Sequence, residues 1–360
     1  MNIIFLIYDL GLGGAELQVA ALAKSLKSKG YNVSVVYLSE NKTSSIREDL
    51  AQNQVETIYL DFLNINYIFR NFRFLKNLLS MPETVVHAHM WKANLLSRLL
   101  KIFLKFKLIN SVHAMDEGKF IVPILYRILD KLSDLNTTVS DVSRKQLIAQ
   151  GALRARSTAV VPNALLNEQL PNIGVKKKPK QTKFFEILYV GRLAKEKNPG
   201  VLISAASKMT LTDAPIKVNI VGDGPLRSEL LRKVNEAGLE DCVIFHGAKN
   251  PALNYAHADL VVIPSLQESF SLVLTEAAFC EVDFIASTAV PVLEVLNEQI
   301  ETFDPHDTES LCRLIRLKCT KPLDDITLRN RRDFVSQKYK IESIIALWDQ
   351  HYRKLLKVKI

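Results

Sequence analysis

Short apolar runs, each closed by glycine, proline or a polar residue, recur from one end of this 360-residue chain to the other, with amphipathic stretches between them. Residues 2–8, 33–36, 84–89, 108–112, 187–190, 216–221 and 260–263 are of this kind. They are short for buried helices and rich in Val, Ile and Leu at successive positions, the pattern of strands covered on both faces. Such strands belong to parallel sheets, whose neighbours are joined by crossover helices. The chain is therefore expected to be α/β, and its length suits two domains. The alternation breaks over residues 167–183, where Pro171, Gly174 and the run Lys176-Lys177-Lys178-Pro179-Lys180 read as an exposed linker. The expected domains are residues 1–166 and 184–339, with a last helix at about 340–360 that crosses back to pack on the first.

The densest constellation lies in the second half: Ser265-Leu266-Gln267-Glu268-Ser269-Phe270-Ser271-Leu272-Val273-Leu274-Thr275-Glu276-Ala277. Pro264 ends the strand before it, and Leu272, Val273, Glu276 and Ala277 fall on helical spacing. Glu268 is thus expected in a strand-to-helix loop beside a helix N-terminus. Unpaired N–H groups and the positive end of the helix dipole suit that place to a phosphate. Glu276 is expected two turns into the helix, about 12 Å further along its axis. One carboxylate could then hold sugar hydroxyls and the other ribose hydroxyls, with a diphosphate between them; an ordinary capped helix would carry the same two residues. Arg192 and Lys197 flank the start of a helix that follows Pro199 and can reach a diphosphate as paired cations, or serve as plain surface charge. The strand at 216–221 enters Gly222-Asp223-Gly224-Pro225.

The first half opens as strand, glycine turn, helix, strand, with Gly11-Leu12-Gly13-Gly14-Ala15-Glu16 at the turn. A dinucleotide fingerprint needs glycine where Glu16 stands, which argues against hydride transfer. Gly13 and Gly14 still permit close approach of backbone to a ligand, or simply form a tight turn. His87, His89 and His113 fall at or near the carboxyl ends of two strands, where ligands collect in open α/β sheets. Each alone is as well explained as a satisfied structural histidine; three of the chain's 7 histidines at two strand ends are less easily explained that way.

The 47 Lys and Arg residues outnumber the 38 Asp and Glu, a formal net charge of +9, so an anionic partner is expected. Residues 67–79 and 95–108 are basic and amphipathic, suited to the interface of an anionic bilayer or to core-facing helices with solvated basic faces. Their aromatic residues sit at helical spacing with no nucleic-acid-binding module, so nucleic acid is not expected. Residues 1–7 are too short for a signal-peptide core and no apolar run approaches a membrane span, so neither secretion nor spanning is expected. Four scattered cysteines indicate no zinc site or disulfide framework and fit a reducing cytoplasm.

Taken together, Gly13 to Glu16, Val86-His87-Ala88-His89, Ser111-Val112-His113, Val139-Ser140, Val161-Pro162-Asn163, Val190-Gly191-Arg192-Leu193 with Lys197, Val221-Gly222-Asp223-Gly224-Pro225, and the pair Glu268 and Glu276 resemble family 4 of the retaining glycosyltransferases. The resemblance covers nearly the whole chain. It implies the GT-B fold, two Rossmann-like doubly wound domains facing a central cleft, with an acceptor domain first and a nucleotide-sugar donor domain second. It implies that Arg192 and Lys197 hold the donor diphosphate, that Glu276 holds the ribose and Glu268 the transferred sugar, and that Gly13, Gly14, Gly222, Ser269, Phe270, Ser271 and Leu272 complete the donor side. Glu16, His87 and His89 fall on the acceptor side, and His113 contacts the donor sugar at the reacting centre, sharing the catalytic role with Glu268. Neither metal nor cofactor is expected. The implied reaction moves a sugar from a nucleotide-diphosphate sugar, UDP-linked by family frequency, to a lipid-linked or cell-surface saccharide, as in O-antigen, lipopolysaccharide or capsule synthesis at the cytoplasmic face of a bacterial inner membrane. A GT-B nucleotide-sugar epimerase and an inactive nucleotide-sugar-binding subunit are the alternatives.

The chain departs from the family pattern at three turns. Cys280-Glu281-Val282-Asp283 replaces Cys-Gly-x-Pro, Val290-Pro291 stands where Gly-Gly is frequent, and Asn163-Ala164 replaces Asn-Gly. Altered turn geometry is expected at each.

Overall fold

The computed structural model describes residues 1–11, 13–40, 45–61, 68–114, 121–166, 170, 184–209 and 215–358, with the side chains of 68–70 set aside. The expected linker, basic run included, lies outside the described residues except for Leu170. The chain divides into two compact units, Met1–Ala164 with Tyr339–Ile360, and Leu165–Lys338.

The first unit alternates strand and helix in chain order: β1 (Asn2–Ile7), α1 (Gly14–Ser28), β2 (Asn32–Tyr37), α2 (Ile46–Gln52), β3 (Glu56–Tyr59), α3 (Ile68–Leu79), β4 (Thr84–His89), α4 (Trp91–Phe103), β5 (Lys107–Val112), α5 (Ile121–Leu129), β6 (Leu135–Thr138), α6 (Asp141–Ala149) and β7 (Thr158–Val160). The strands form a parallel sheet in the order β3-β2-β1-β4-β5-β6-β7, with Phe5 paired to Val35 on one side and His87 on the other. Right-handed crossovers that run leftward from β1 and rightward from β4 put α1 and α2 on one face and α4 and α5 on the other. In agreement, Leu75 and Leu79 of α3 and Ala93 and Leu100 of α4 share one core with Ile4, Leu6, Val36 and Val86. The terminal helix α14 (Ile341–Leu356) packs on α1 and reaches β4.

The amphipathic stretch 95–108 is not one helix. α4 ends at Phe103, Leu104 is extended, and Lys107 opens β5. Extended backbone sends Leu104 and Phe106 into the core and Lys105 to solvent, a period of two that the helical reading masked.

The second unit comprises β8 (Phe185–Val190), α7 (Pro199–Met209), β9 (Ile216–Val221), α8 (Arg227–Glu236), β10 (Val243–Gly247), α9 (Ala252–His257), β11 (Leu260–Ile263), α10 (Leu272–Phe279), β12 (Asp283–Ala286), α11 (Val292–Leu296), α12 (Thr308–Thr320) and α13 (Asp325–Lys338). Its parallel sheet runs β10-β9-β8-β11-β12. Ile187, Val218, Ile220 and Val262 of the strands close on Leu202, Ala206, Leu311 and Ile315 of α7 and α12 in one core.

Candidate functional site

In each sheet the strand order reverses once, and open α/β sheets bind ligands outside the carboxyl ends of the strands at that reversal. In the second unit it lies between β8 and β11. The loops after these strands carry Lys197 and Glu268, and the Lys197 ammonium meets the Glu268 carboxylate at 2.6 Å. The loops are tied together, because the Leu266 N–H donates to the Glu196 carbonyl at 2.8 Å. Ser265 donates to the same Glu268 oxygen at 3.1 Å, and its own carbonyl accepts from the Ser287 hydroxyl at 2.6 Å. An ammonium has three N–H donors, so Lys197 can hold Glu268 and an anionic ligand at once.

The Arg192 side chain is 68% exposed and lies 4.0 Å from Glu196. It stands on the same β8 loop as Lys197. Gly222 supports that loop through its backbone: a Cβ there would stand 1.9 Å from the Gly191 carbonyl oxygen, and its φ is +142°. The Leu193 N–H donates to Asp223 (2.9 Å) and the Leu226 N–H to Leu193 (2.9 Å), which stitches the β9 loop to the β8 loop.

The spacing of the two carboxylates needs correction. α10 begins only at Leu272, so Glu276 lies one turn into the helix and the 12 Å helical rise does not apply. Ser271 sets this start: it adopts φ +73° as the N-cap and its hydroxyl accepts the Leu274 N–H at 3.3 Å. Ser269, Phe270 and Ser271 are buried and anchor the loop, while Leu272 is half-buried. Burial raises the Glu276 carboxyl above its ordinary pKa, opposed by the 2.7 Å hydrogen bond from the buried Tyr255 hydroxyl.

In the first unit the reversal lies between β1 and β4. Gly13 caps α1 without a side-chain bond and Gly14 is exposed at its first turn. Glu16 folds back over Gly13, where an added Cβ would meet its carboxylate oxygen at 2.3 Å. Burial foremost, and then Asp9, push the Glu16 carboxyl up to about 7. His89 ends β4 and shares a 2.8 Å hydrogen bond from its Nδ1 to Nε2 of His113, just past β5. Burial holds His113 at about 4 and His89 well below its usual value. His89 and His113 line a recess of about 300 Å³, open solvent included, with Gln18, Thr138, Asn163 and Trp348.

His87 does not serve an acceptor face. It is fully buried, with Nδ1 on the Tyr352 hydroxyl (2.8 Å), Nε2 on the Ser111 hydroxyl (2.7 Å) and its ring against Trp348. It is the strut that fastens α14 to β4. Sequence reasoning passed over Tyr255 and Gln18, and it named Ser265 without giving it a role. The Gln18 amide clamps Ala164 from both sides, donating to its carbonyl at 2.7 Å and accepting its N–H at 2.8 Å. Tyr255 lies 21 residues from Glu276 and Gln18 lies 146 from Ala164, so no local spacing marks those two, whereas Ser265 stands three residues before Glu268.

Of the three altered turns, only Glu281 carries the positive φ that glycine favours, +53°, and it pairs with Arg332. Ala164 and Val290 have no positive φ, and Pro291 has φ −78°.

Comparison with known proteins places this geometry. A model of the glycosyl transferases group 1 matches residues 174–339, and a model of glycosyltransferase family 4 matches residues 12–165. Between them the matches span both units, and the chain belongs to the family 4 glycosyltransferases of GT-B fold, enzymes that take a sugar from a nucleotide-sugar donor. It is 28% identical over 293 residues, 76% of this chain and 77% of the relative, to the N-acetylgalactosamine-N,N'-diacetylbacillosaminyl-diphospho-undecaprenol 4-alpha-N-acetylgalactosaminyltransferase of Campylobacter jejuni. It is 24% identical over 335 residues, 87% of this chain and 71% of the relative, to the phosphatidylinositol N-acetylglucosaminyltransferase gpi3 subunit of Schizosaccharomyces pombe. Among solved structures, HepE of Anabaena in complex with UDP and glucose superposes with a TM-score of 0.82 at 20% identity, covering 98% of this chain and 100% of that one, a likeness of fold.

Proposed function

We propose that this glycosyltransferase moves a hexosyl or N-acetylhexosaminyl group from a UDP-linked donor to a lipid-linked saccharide, with retention of anomeric configuration. The setting is the cytoplasmic face of a bacterial inner membrane, in the synthesis of O-antigen, lipopolysaccharide, capsule or a related surface polysaccharide. The observation that carries this reading is the Lys197–Glu268 pair at the strand-order reversal of the second unit. The names of the two relatives, one a diphospho-undecaprenol-directed transferase and the other a subunit of a phosphatidylinositol N-acetylglucosaminyltransferase, support the lipid-linked acceptor.

In this reaction the bond from the anomeric carbon to the diphosphate oxygen breaks and the acceptor oxygen bonds to the same carbon. The acceptor proton passes to the departing phosphate. Negative charge grows on that phosphate as the bond stretches, and fixed cations aimed at it lower the barrier. Lys197 is preorganised for this by Glu268, and Arg192 reaches the same loop from solvent. These cations neutralise the diphosphate, so the reading calls for neither a metal ion nor a cofactor. Glu268, held by Lys197 and Ser265, orients hydroxyls of the transferred sugar. Glu276, held by Tyr255, receives the ribose hydroxyls, and Gly14 with the first turn of α1 offers backbone N–H groups to phosphate. Neutral His113 donates to or accepts from the sugar without adding charge, and Glu16 and His89 belong to the acceptor side.

The test is a screen of nucleotide-sugar donors with and without a lipid-linked acceptor extract, reading nucleotide diphosphate release. Acceptor-dependent release should fall by roughly a hundredfold or more in Glu268→Ala and in Lys197→Ala. Tight donor binding with no release in the wild type would replace this reading with that of an inactive binding subunit.

A further inference from the structure

We propose that Tyr189, through its hydroxyl, is a positioning residue for sugar transfer: it fixes the peptide from which Arg192 projects, and so the place of that cation. The inference rests on the reading of Arg192 as a group that meets the departing diphosphate. Tyr189 is the next-to-last residue of β8, and its ring, 2% exposed, belongs to the core that α7 and α12 close. Alternation along the strand puts it on the same face as Ile187. A phenylalanine ring would fill that place as well, so packing does not call for the hydroxyl. A buried hydroxyl without a partner is costly, and this one finds its partner on the loop beyond the strand. It donates to the Arg192 carbonyl at 3.0 Å.

The Arg192 carbonyl and the Leu193 N–H belong to one planar peptide. That peptide is held by three hydrogen bonds. Its carbonyl accepts from Tyr189 and also from the Ala194 N–H at 2.9 Å, which engages both lone pairs, and its N–H donates to the Asp223 carbonyl at 2.9 Å. Tyr189 supplies the one side-chain bond of the three. Gly191 keeps the space for it, since an added Cβ there would stand 3.3 Å from the hydroxyl oxygen. Burial foremost, and then the charges of Glu268 and Glu196, raise the Tyr189 pKa, so the hydroxyl stays a neutral donor. The Arg192 side chain is exposed, and among the described residues its one ion pair is the 4.0 Å contact with Glu196. Its backbone therefore decides where the guanidinium starts from, and Tyr189 decides the backbone.

Tyr189→Phe, which keeps the ring and removes only the hydroxyl, tests the inference in the full chain. Turnover of UDP-N-acetylgalactosamine, UDP-N-acetylglucosamine and UDP-glucose is followed with a lipid-linked acceptor extract, and UDP binding is titrated without it. A cation that meets charge developing on the leaving phosphate acts on the transition state more than on the ground state. The variant should therefore lose about tenfold in kcat, while its KM for donor and its Kd for UDP stay within about twofold. In an Arg192→Ala background the same change should cost less than about twofold, because residues that act as a unit are not additive. A tyrosine with only a packing duty would lower Tm and leave kcat, measured well below Tm, unchanged. Wild-type kcat in Tyr189→Phe, or a loss that persists in full beside Arg192→Ala, would overturn the inference and leave the functional reading in place. Full turnover in Arg192→Ala would instead remove the functional reading of this loop, and the inference with it.

Discussion

The buried His87 and His89 and the half-buried His113 form an uncharged set whose cost appears when the pH drops. One imidazole of the His89–His113 pair donates and the other accepts, an arrangement that a second proton would break. The unfolded chain takes up protons near 6.5, whereas burial keeps His113 unprotonated until about 4 and holds the other two well below their ordinary value. Below 6.5 the unfolded state therefore binds more protons, and stability falls as the pH falls, by up to about 1.4 kcal/mol per pH unit for each histidine. Urea midpoints measured between pH 7 and 5 should show this slope, and His113→Asn should flatten it whatever it does to the level. Glu16 has the opposite sign. Its carboxyl keeps its proton to about 7 in the fold and loses it near 4.5 when unfolded, so its contribution declines as the pH rises through that window. Glu16→Gln stays neutral throughout and should raise stability at pH 8 by about 1–3 kcal/mol, read from the urea midpoint.

At the scale of elements, glycine loss tests how far a turn depends on its residue type. Glu281 holds φ +53° between α10 and β12, a region that costs a side-chain-bearing residue about 1–2 kcal/mol. Glu281→Gly should return about 1 kcal/mol net of the Arg332 pair it gives up, seen as a rise in Tm. A fall would mean the ion pair sets the turn. The strands were legible because strands covered on both faces leave unbroken apolar runs, as in β9, whose bounds match the sequence reading. α5 was illegible for a related reason: Ile121-Val122-Pro123-Ile124-Leu125 is apolar all round, so no periodicity separates its core face from its exposed one. The site was legible as residue types in order, Lys197, Glu268 and Glu276 among them. It was not legible as contacts, because Lys197 meets Glu268 across 71 residues and Tyr255 meets Glu276 across 21. The start of α10 escaped because a left-handed serine is a poor guess for a helix cap, and glycine or asparagine is the usual residue at positive φ.

For the whole molecule the decisive fact is that the first unit is discontinuous. The chain leaves it at Ala164, completes the second unit, and returns at Tyr339. The returning helix is no appendage. Trp348 and Tyr352 are buried against His87, Ile344 and Ile345 are buried beside them, and Asp349 accepts a hydrogen bond from Tyr31. The first sheet thus lacks its last packing layer until the end of the chain has been made, and those contacts close loops of some 265 to 318 residues. The second unit is continuous and holds its own core. Residues 165–338 expressed alone should therefore fold and bind a nucleoside diphosphate, while residues 1–164 alone should remain unfolded by circular dichroism. In the intact chain Trp348→Ala should cost about 3–5 kcal/mol, and hydrogen exchange should place the lost protection in β1, β4 and α1 while β8, β9 and β11 keep theirs. Equal loss in both sheets would mean that the two units unfold as one and that the helix serves the whole chain.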